Sequence, residues 1–311
     1  MTTAATAAGH SALATRAALA SVALALALLG AKAWAAYVTD STAMLGSLAD
    51  TALDVIASIT TLVGVRIAAV PADRDHRFGH GKAEALVSLA QVALITVSAV
   101  GIAWRAVDRL INGGETAAMD IGIGVSVLAI AATFALLWYQ RRVINSTGSI
   151  AIKTDNVHYK SDLMLNGSVI VALLLDQWLH VPGADAVFGI LIALWLAWGA
   201  YRASSEAVHQ LMDREWPEEE RQQFLTAAAQ FPELGGLHDL RTRKSGTLRF
   251  VQFHVWVPAD WTVQEAHDRL DRVEEQLQER FPDTEILIHV DPEGQTDRET
   301  LLSSDLTESA Q

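Results

Sequence analysis

Six stretches of mostly apolar residues, roughly 16–38, 43–70, 82–110, 119–141, 152–176 and 183–205, fill the first two thirds of this 311-residue chain. Each approaches or exceeds the ~20 residues that a helix needs to cross a bilayer core, so the sequence predicts six transmembrane helices. The charge follows the same division. Residues 1–205 carry 13 Asp+Glu and 13 Lys+Arg, whereas residues 206–311 carry 23 acids against 10 bases. A neutral apolar block is therefore followed by a hydrophilic acidic one, which excludes a single soluble globule and a basic nucleic-acid binder. With no cysteine, a disulfide scaffold, thiolate zinc sites and cysteine nucleophiles are excluded too. Any metal must be held by His, Asp, Glu or backbone groups.

The first apolar run is longer than the core of a signal peptide, has only Arg16 as an early base, and is followed by five more, so it reads as a permanent span. The segment between spans two and three holds Arg66, Arg74, Arg77 and Lys82; that between spans four and five holds Arg141, Arg142, Lys153 and Lys160. The positive-inside rule puts both on the cytoplasmic side. The opposite loops, 37–43, 112–119 and 176–185, contain acids and no Lys or Arg, although Lys32, Arg105 and Arg109 lie near the outer ends. An even number of spans places both termini in the cytoplasm.

Beyond Tyr201 the pattern changes to that of a small α+β domain. A helix over 218–230 opens after Pro217, and a hairpin turns about Lys244-Ser245-Gly246 between strands 238–243 and 247–257. Val263, Ala266, Leu270, Val273 and Leu277 recur at helical spacing, and 285–290 forms a last strand. The expected organisation is an N-terminal tail (1–13), a six-helix transmembrane domain (14–206), an α-β-β-α-β cytoplasmic domain (207–292) and a disordered acidic tail (293–311), since the tail lacks apolar periodicity.

An ionisable side chain at membrane depth costs at least a few kcal/mol and marks a functional site by default. Asp50 and Asp54 are four apart on span two, and His158 and Asp162 are four apart on span five. That spacing puts each pair on one helical face. At ~1.5 Å rise per residue, Asp54 lies roughly 18 Å and Asp162 roughly 21 Å from the outer ends of their spans, so the two pairs match in height. Three carboxylates and one imidazole at one level suit a tetrahedral divalent cation such as zinc, and without a cation the carboxylates could not all stay ionised. The competing reading is that these are helix-end residues, or partners of Lys32 and Arg105. Asn166, one turn beyond Asp162, fits a supporting donor or interhelical contact equally well. In the loop after span two, Asp73, His76 and His80 could converge on an ion if the loop folds as a turn, or could simply be solvated.

Taken together, these residues resemble the cation diffusion facilitator family, in particular its bacterial ferrous-iron/zinc efflux branch. The likeness rests on Ser47-Leu48-Ala49-Asp50-Thr51-Ala52-Leu53-Asp54, on Pro71-Ala72-Asp73 followed by Phe78-Gly79-His80-Gly81-Lys82-Ala83-Glu84, and on His158-Tyr159-Lys160-Ser161-Asp162. His238-Asp239-Leu240-Arg241-Thr242-Arg243 and His289-Val290-Asp291-Pro292 complete it. The resemblance runs over about residues 14–292. It implies a homodimer in the bacterial inner membrane, with six-helix subunits and a metallochaperone-like cytoplasmic domain, exporting a divalent transition metal in exchange for protons. It implies a transport site of Asp50, Asp54, His158 and Asp162, a loop site of Asp73, His76 and His80, and a cytoplasmic site of His238, His254, His267, His289 and Asp291. It also implies an inter-subunit charge link between Lys82 and Asp213.

Strand alternation bears on the cytoplasmic set. Val251, Phe253, Val255 and Val257 share one face, which puts His254 on the other; Ile286, Ile288 and Val290 share one face, which puts His289 and Asp291 on the other. Spacing does not settle the reach of His267, and His10, His180 and His209 match no motif. A metalloenzyme or a passive membrane metal sensor would be the rival functions. No HExxH, GxSxG, Walker or dinucleotide-binding glycine pattern occurs, and a sensor would not require acids at matched depth in the membrane. For the cargo, the ligand set suits Zn²⁺ first and Fe²⁺ second, with Cd²⁺ and Mn²⁺ also compatible with mixed N/O ligands.

Overall fold

The computed structural model describes residues 2–39, 42–112, 122–179 and 184–294. The chain divides into two compact units, His10–His209, and Gln210–Gln311 together with Met1–Gly9. Six long helices make up the first unit, the outermost two running past its bounds: α1 (Thr2–Thr39), α2 (Thr42–Ala68), α3 (Ala83–Asn112), α4 (Gly122–Thr147), α5 (Ile150–Leu179) and α6 (Ala184–Leu211). α1 includes residues 2–13, expected above as a tail; this Ala-rich stretch has high helix propensity and extends the helix, while the stretch long and apolar enough to cross a membrane begins at Gly9. Over Gly9–Val38, Asp50–Ala68, Ala83–Asn112 and Ala186–Leu211 the helices are long and apolar enough to cross a membrane. Leu26, Val97, Trp104, Phe134, Leu194 and Trp198 are exposed on the helix surfaces, as lipid-facing side chains would be.

Small residues let these helices approach closely, as packing between apolar helices in lipid requires. Ala14, Ala17 and Ala18 of α1 pack with Val65 of α2, Val143 of α4 and Ala151 and Ile152 of α5. Ile95 and Ala99 of α3 meet Ile192, Leu196 and Ala200 of α6. A Cβ on Gly64 of α2 would overlap the side chain of Val87 on α3. Glu84, buried at the start of α3, accepts hydrogen bonds from Ser149 Oγ (2.8 Å) and from the Ile150 amide (3.1 Å) at the first turn of α5. That carboxylate satisfies amide groups which the helix itself leaves unpaired.

The second unit contains α7 (Glu218–Ala228), a 3-10 turn at Pro232–Leu234, β1 (His238–Ser245), β2 (Leu248–Val257), α8 (Val263–Arg280) and β3 (Thr284–Pro292). The sheet order is β1-β2-β3, with β1 antiparallel and β3 parallel to β2. The hairpin turn falls at Gly246-Thr247, later than the composition suggested, and Gly246 takes the left-handed backbone (φ 61°) that a tight turn demands. Val251, Phe253, Val255, Ile286, Leu270, Val273 and Leu277 form one core with Trp216 and Phe224. The expected tail lies outside the described residues from 295 onward, as does His180.

Phe224 is fully buried, with ring centroids 5.3 Å from Phe281, 5.8 Å from Phe253 and 6.3 Å from Trp216. Phe224→Ala should lower the stability of this unit by about 3–5 kcal/mol, because the aromatic cage cannot collapse on the void; denaturant unfolding followed through tryptophan fluorescence checks it. α8 opens with a capping box, in which Glu265 N–H donates to Thr262 Oγ1 (3.2 Å) and Thr262 N–H donates to Glu265 Oε2 (2.9 Å). The Thr262 amide, then its hydroxyl, hold the Glu265 carboxyl below the usual glutamate range. The cap should therefore be at full strength above that range and be lost only as pH falls through the depressed value. Amide exchange at Thr262 and Glu265 across an acid titration reads this, and Glu265→Gln should remove the pH dependence.

Candidate metal transport site

α2 and α5 pack together, and their facing sides place Asp54 against His158. Nε2 of His158 lies 3.0 Å from Asp54 Oδ1 and 3.9 Å from Asp162 Oδ2. His158 is 8% exposed, while both carboxylates are partly exposed. The three offer ligand atoms that all lie within 4.8 Å of one another. A tetrahedral ion with bonds of about 2.1 Å needs ligands about 3.4 Å apart, so small side-chain movements suffice. Asp50 stands apart from the other three expected ligands. It sits one turn, about 6 Å, along α2, its side chain is 60% exposed, and it faces the Arg105 guanidinium at 3.9 Å. Lys32 Nζ donates to Thr51 Oγ1 (2.6 Å) on the same turn.

The loop after α2 does fold as a turn. Asp73 Oδ1 accepts the amides of His76 (2.6 Å) and Asp75 (2.9 Å), and the Gly79 amide donates to His76 O (3.0 Å). Gly79 has φ 75°, a backbone that suits glycine. The turn brings His76 Nδ1 and His80 Nε2 each to 3.4 Å from Asp73, with the two rings 4.4 Å apart. The His76 amide, supported by Asp75 and by the charges of His80 and His76, holds the Asp73 carboxyl below the ordinary aspartate range. An ionised carboxylate beside two imidazoles is a sound donor set for a divalent cation.

In the soluble unit, strand register aligns the third cluster. His238 pairs with His254 across β1 and β2, and His254 pairs with His289 across β2 and β3, so three imidazoles form a row. Asp291 reaches under them: its Oδ2 is 2.9 Å from His254 Nδ1 and 3.3 Å from His238 Nε2, and its Oδ1 is 3.4 Å from His289 Nε2. His238, His254 and Asp291 form the tight group. His289 is more exposed at its edge, with its ring 4.5 Å from that of His254. The exposed His267 on α8 is not brought into the cluster. Two imidazoles and a carboxylate fit a resident divalent cation, with an exposed third imidazole beside them.

Two acids escaped the reading of spacing. Asp239, in the left-handed region at a bulge in β1 (φ 47°), places Oδ2 3.8 Å from His254 Nε2 and is engaged by Arg241. Asp155 is fully buried on α5 and accepts hydrogen bonds from other helices. Its signal in the sequence is the stripe 155, 158, 162, spaced i, i+3, i+7.

Long apolar helices that enclose an acid–imidazole cluster, followed by a small α+β unit with its own histidine row, give a helical membrane protein whose side chains could hold metal ions at three places among the described residues. The chain belongs to the cation efflux family: the Cation efflux transmembrane domain matches residues 18–212, and the Cation efflux protein, cytoplasmic domain, matches residues 216–293. It is 41% identical to the cation-efflux pump FieF of Klebsiella pneumoniae over 280 residues, which is 90% of this chain and 93% of that protein. It is 40% identical to the FieF pump of Salmonella newport over the same coverage. A solved structure of CzrB in its Zn form is 36% identical and matches 28% of this chain and 99% of that chain, at a TM-score of 0.25. The family models and the curated relatives make the chain a cation efflux transporter, not an enzyme, with a helical transmembrane domain, which holds six helices among the described residues, and a cytoplasmic α+β domain.

Proposed function

We propose that the protein exports Zn²⁺ in exchange for protons, as a homodimer in the bacterial inner membrane that exposes one site alternately to the two sides. The observation that carries this reading is the convergence of Asp54, His158 and Asp162 from two helices. Asp50 is the fourth ligand in this reading, reaching the ion by exchanging Arg105 for it. One imidazole among carboxylates favours a borderline ion over Mg²⁺ or Ca²⁺; Fe²⁺ and Cd²⁺ are the alternatives. Ligands must be deprotonated to hold metal, so exchange of the ion for protons is intrinsic to such a donor set. The Asp73–His76–His80 turn would serve as a second, shallow metal site, and the His238–His254–Asp291 group with His289 as a resident regulatory one.

The test is uptake by proteoliposomes containing the whole chain, comparing Zn²⁺, Cd²⁺, Fe²⁺ and Mn²⁺ with and without an imposed pH gradient. Zn²⁺ flux should rise several-fold when the compartment that receives the metal is the more acidic. Flux indifferent to the pH gradient at a fixed metal gradient would remove antiport, and preference for another ion would reassign the cargo.

A further inference from the structure

Below the transport site, the Asp155 carboxylate gathers side chains from four other helices. Ser21 Oγ of α1 donates to Oδ2 at 2.7 Å and Gln140 Nε2 of α4 at 2.8 Å; Thr61 Oγ1 of α2 donates to Oδ1 at 3.3 Å and Gln91 Nε2 of α3 at 3.4 Å. Ser21, Thr61, Gln91, Gln140 and Asp155 are each buried to 1% exposure or less. The donors are tied to one another as well. Gln140 Nε2 donates to Ser21 Oγ (3.0 Å), Gln91 Nε2 donates to Thr61 Oγ1, and Asn156 Nδ2 donates to Gln140 Oε1 (2.9 Å). A buried carboxylate so held is costly to disturb and fixes geometry, because every displaced donor loses its partner in a low-dielectric interior.

The hub lies on the stripes that carry the metal ligands. On α5, Asp155, His158 and Asp162 follow at i, i+3 and i+7; on α2, Asp54, Ser58 and Thr61 follow at i, i+4 and i+7. Three contacts join the two helices along these faces: Asp54 with His158 at 3.0 Å, Ser58 with the buried Tyr159, the residue after His158, at 2.8 Å, and Thr61 with Asp155 at 3.3 Å. The Tyr159 hydroxyl also donates to Ser21 O of α1 at 3.0 Å. His158 stands about 4.5 Å along the axis from Asp155, so the hub sets how closely α2 and α5 approach where the ligands face each other.

We propose that Asp155 is a positioning residue that fixes the width of the Asp54–His158–Asp162 site and thereby its preference for small tetrahedral ions. It touches no ion itself. The proposal rests on the transport-site reading above. Zinc takes four ligands at about 2.0–2.2 Å, whereas an ion with longer bonds and more ligands needs a wider gap. Loosening the hub should therefore relax selectivity, which general destabilisation would not do.

The experiment compares Zn²⁺, Cd²⁺ and Mn²⁺ transport by the whole protein in proteoliposomes for wild type, Asp155→Asn, Thr61→Val, Ser21→Ala and Asp162→Ala, each normalised to the folded fraction by size exclusion. Asp155→Asn keeps the shape but replaces one accepting oxygen by an amide donor. It should raise KM for Zn²⁺ about tenfold or more, the range seen when groups that orient metal ligands are changed, and shift the Zn²⁺:Mn²⁺ and Zn²⁺:Cd²⁺ ratios of Vmax/KM toward the larger ions. Thr61→Val and Ser21→Ala remove one arm each, leave no new buried charge, and should move the ratios in the same direction by less; they decide the matter if Asp155→Asn does not fold. Unchanged ratios in all hub variants, or one common loss for every metal, would overturn the proposal. If Asp162→Ala is inactive while the ratios stay as in wild type, only the role of the hub fails. If Asp162→Ala transports Zn²⁺ normally, the transport-site reading itself is wrong.

Discussion

Asp54→Ala or Asp162→Ala should reduce Zn²⁺ flux by more than about 100-fold while leaving the protein folded. Even groups that only orient a metal's ligands cost 10- to 100-fold in affinity when changed, and these two carboxylates face the same imidazole nitrogen, at 3.0 and 3.9 Å. With either removed, the cluster loses a third of its donors and half of the negative charge that would offset the ion's lost hydration. The fold has little reason to fail. Both side chains are partly exposed, neither belongs to the Asp155 hub, and alanine suits a helix interior. Proteoliposome uptake, paired with size-exclusion profiles of the purified variants, reads both halves of the expectation. Wild-type uptake in either folded variant would end the assignment of these residues to the cargo.

The same residues show what the sequence could and could not convey. The six helices were legible because bilayer thickness dictates a long apolar run, which local composition displays. The soluble strands were legible because Val251, Phe253 and Val255 alternate, and the alternation also put His254, His289 and Asp291 on one face. Spacing of four along a helix brought His158 and Asp162 together but did not bring Asp50 to Asp54. A four-residue step also climbs about 6 Å, and at that height the nearest charge is Arg105. The fourfold cluster expected from the two pairs is a threefold one in the structure, with Asp50 one turn away. Asp155 was missed for a different reason: its partners lie at 21, 61, 91 and 140. Only the packing of five helices brings them to one point, and no local period encodes that. His267 sits at helical spacing on α8, yet exposure alone does not bring it to the sheet face that carries the other histidines.

Zinc should draw the two cytoplasmic domains of a dimer together, and His254→Ala with His289→Ala should abolish the movement. The acidic segment 206–311 carries a net charge of −13, so two copies repel, and divalent cations held between them would offset part of that field. The sheet register places His238, His254 and His289 in one row, with Asp291 beneath, on the face opposite the apolar core, where a second domain could approach. Binding that favours the closed pair stabilises it by RT ln(1 + [L]/Kd), about 2.7 kcal/mol at one hundred times Kd, enough to move an evenly balanced pair almost wholly to the closed form. The chain contains no cysteine, so a single Gln276→Cys substitution on the exposed side of α8 gives one label per subunit. Distances between the labels, measured by spin or fluorescence pairs with and without zinc, should shorten in the otherwise wild-type protein and stay fixed in the double variant. Phe224→Ala, which weakens the domain core without touching the histidine row, serves as the control for general loosening. A distance that ignores zinc, or a double variant that still contracts, would leave the histidine row without this role. Contraction confined to the intact row would tie the movement to the metal.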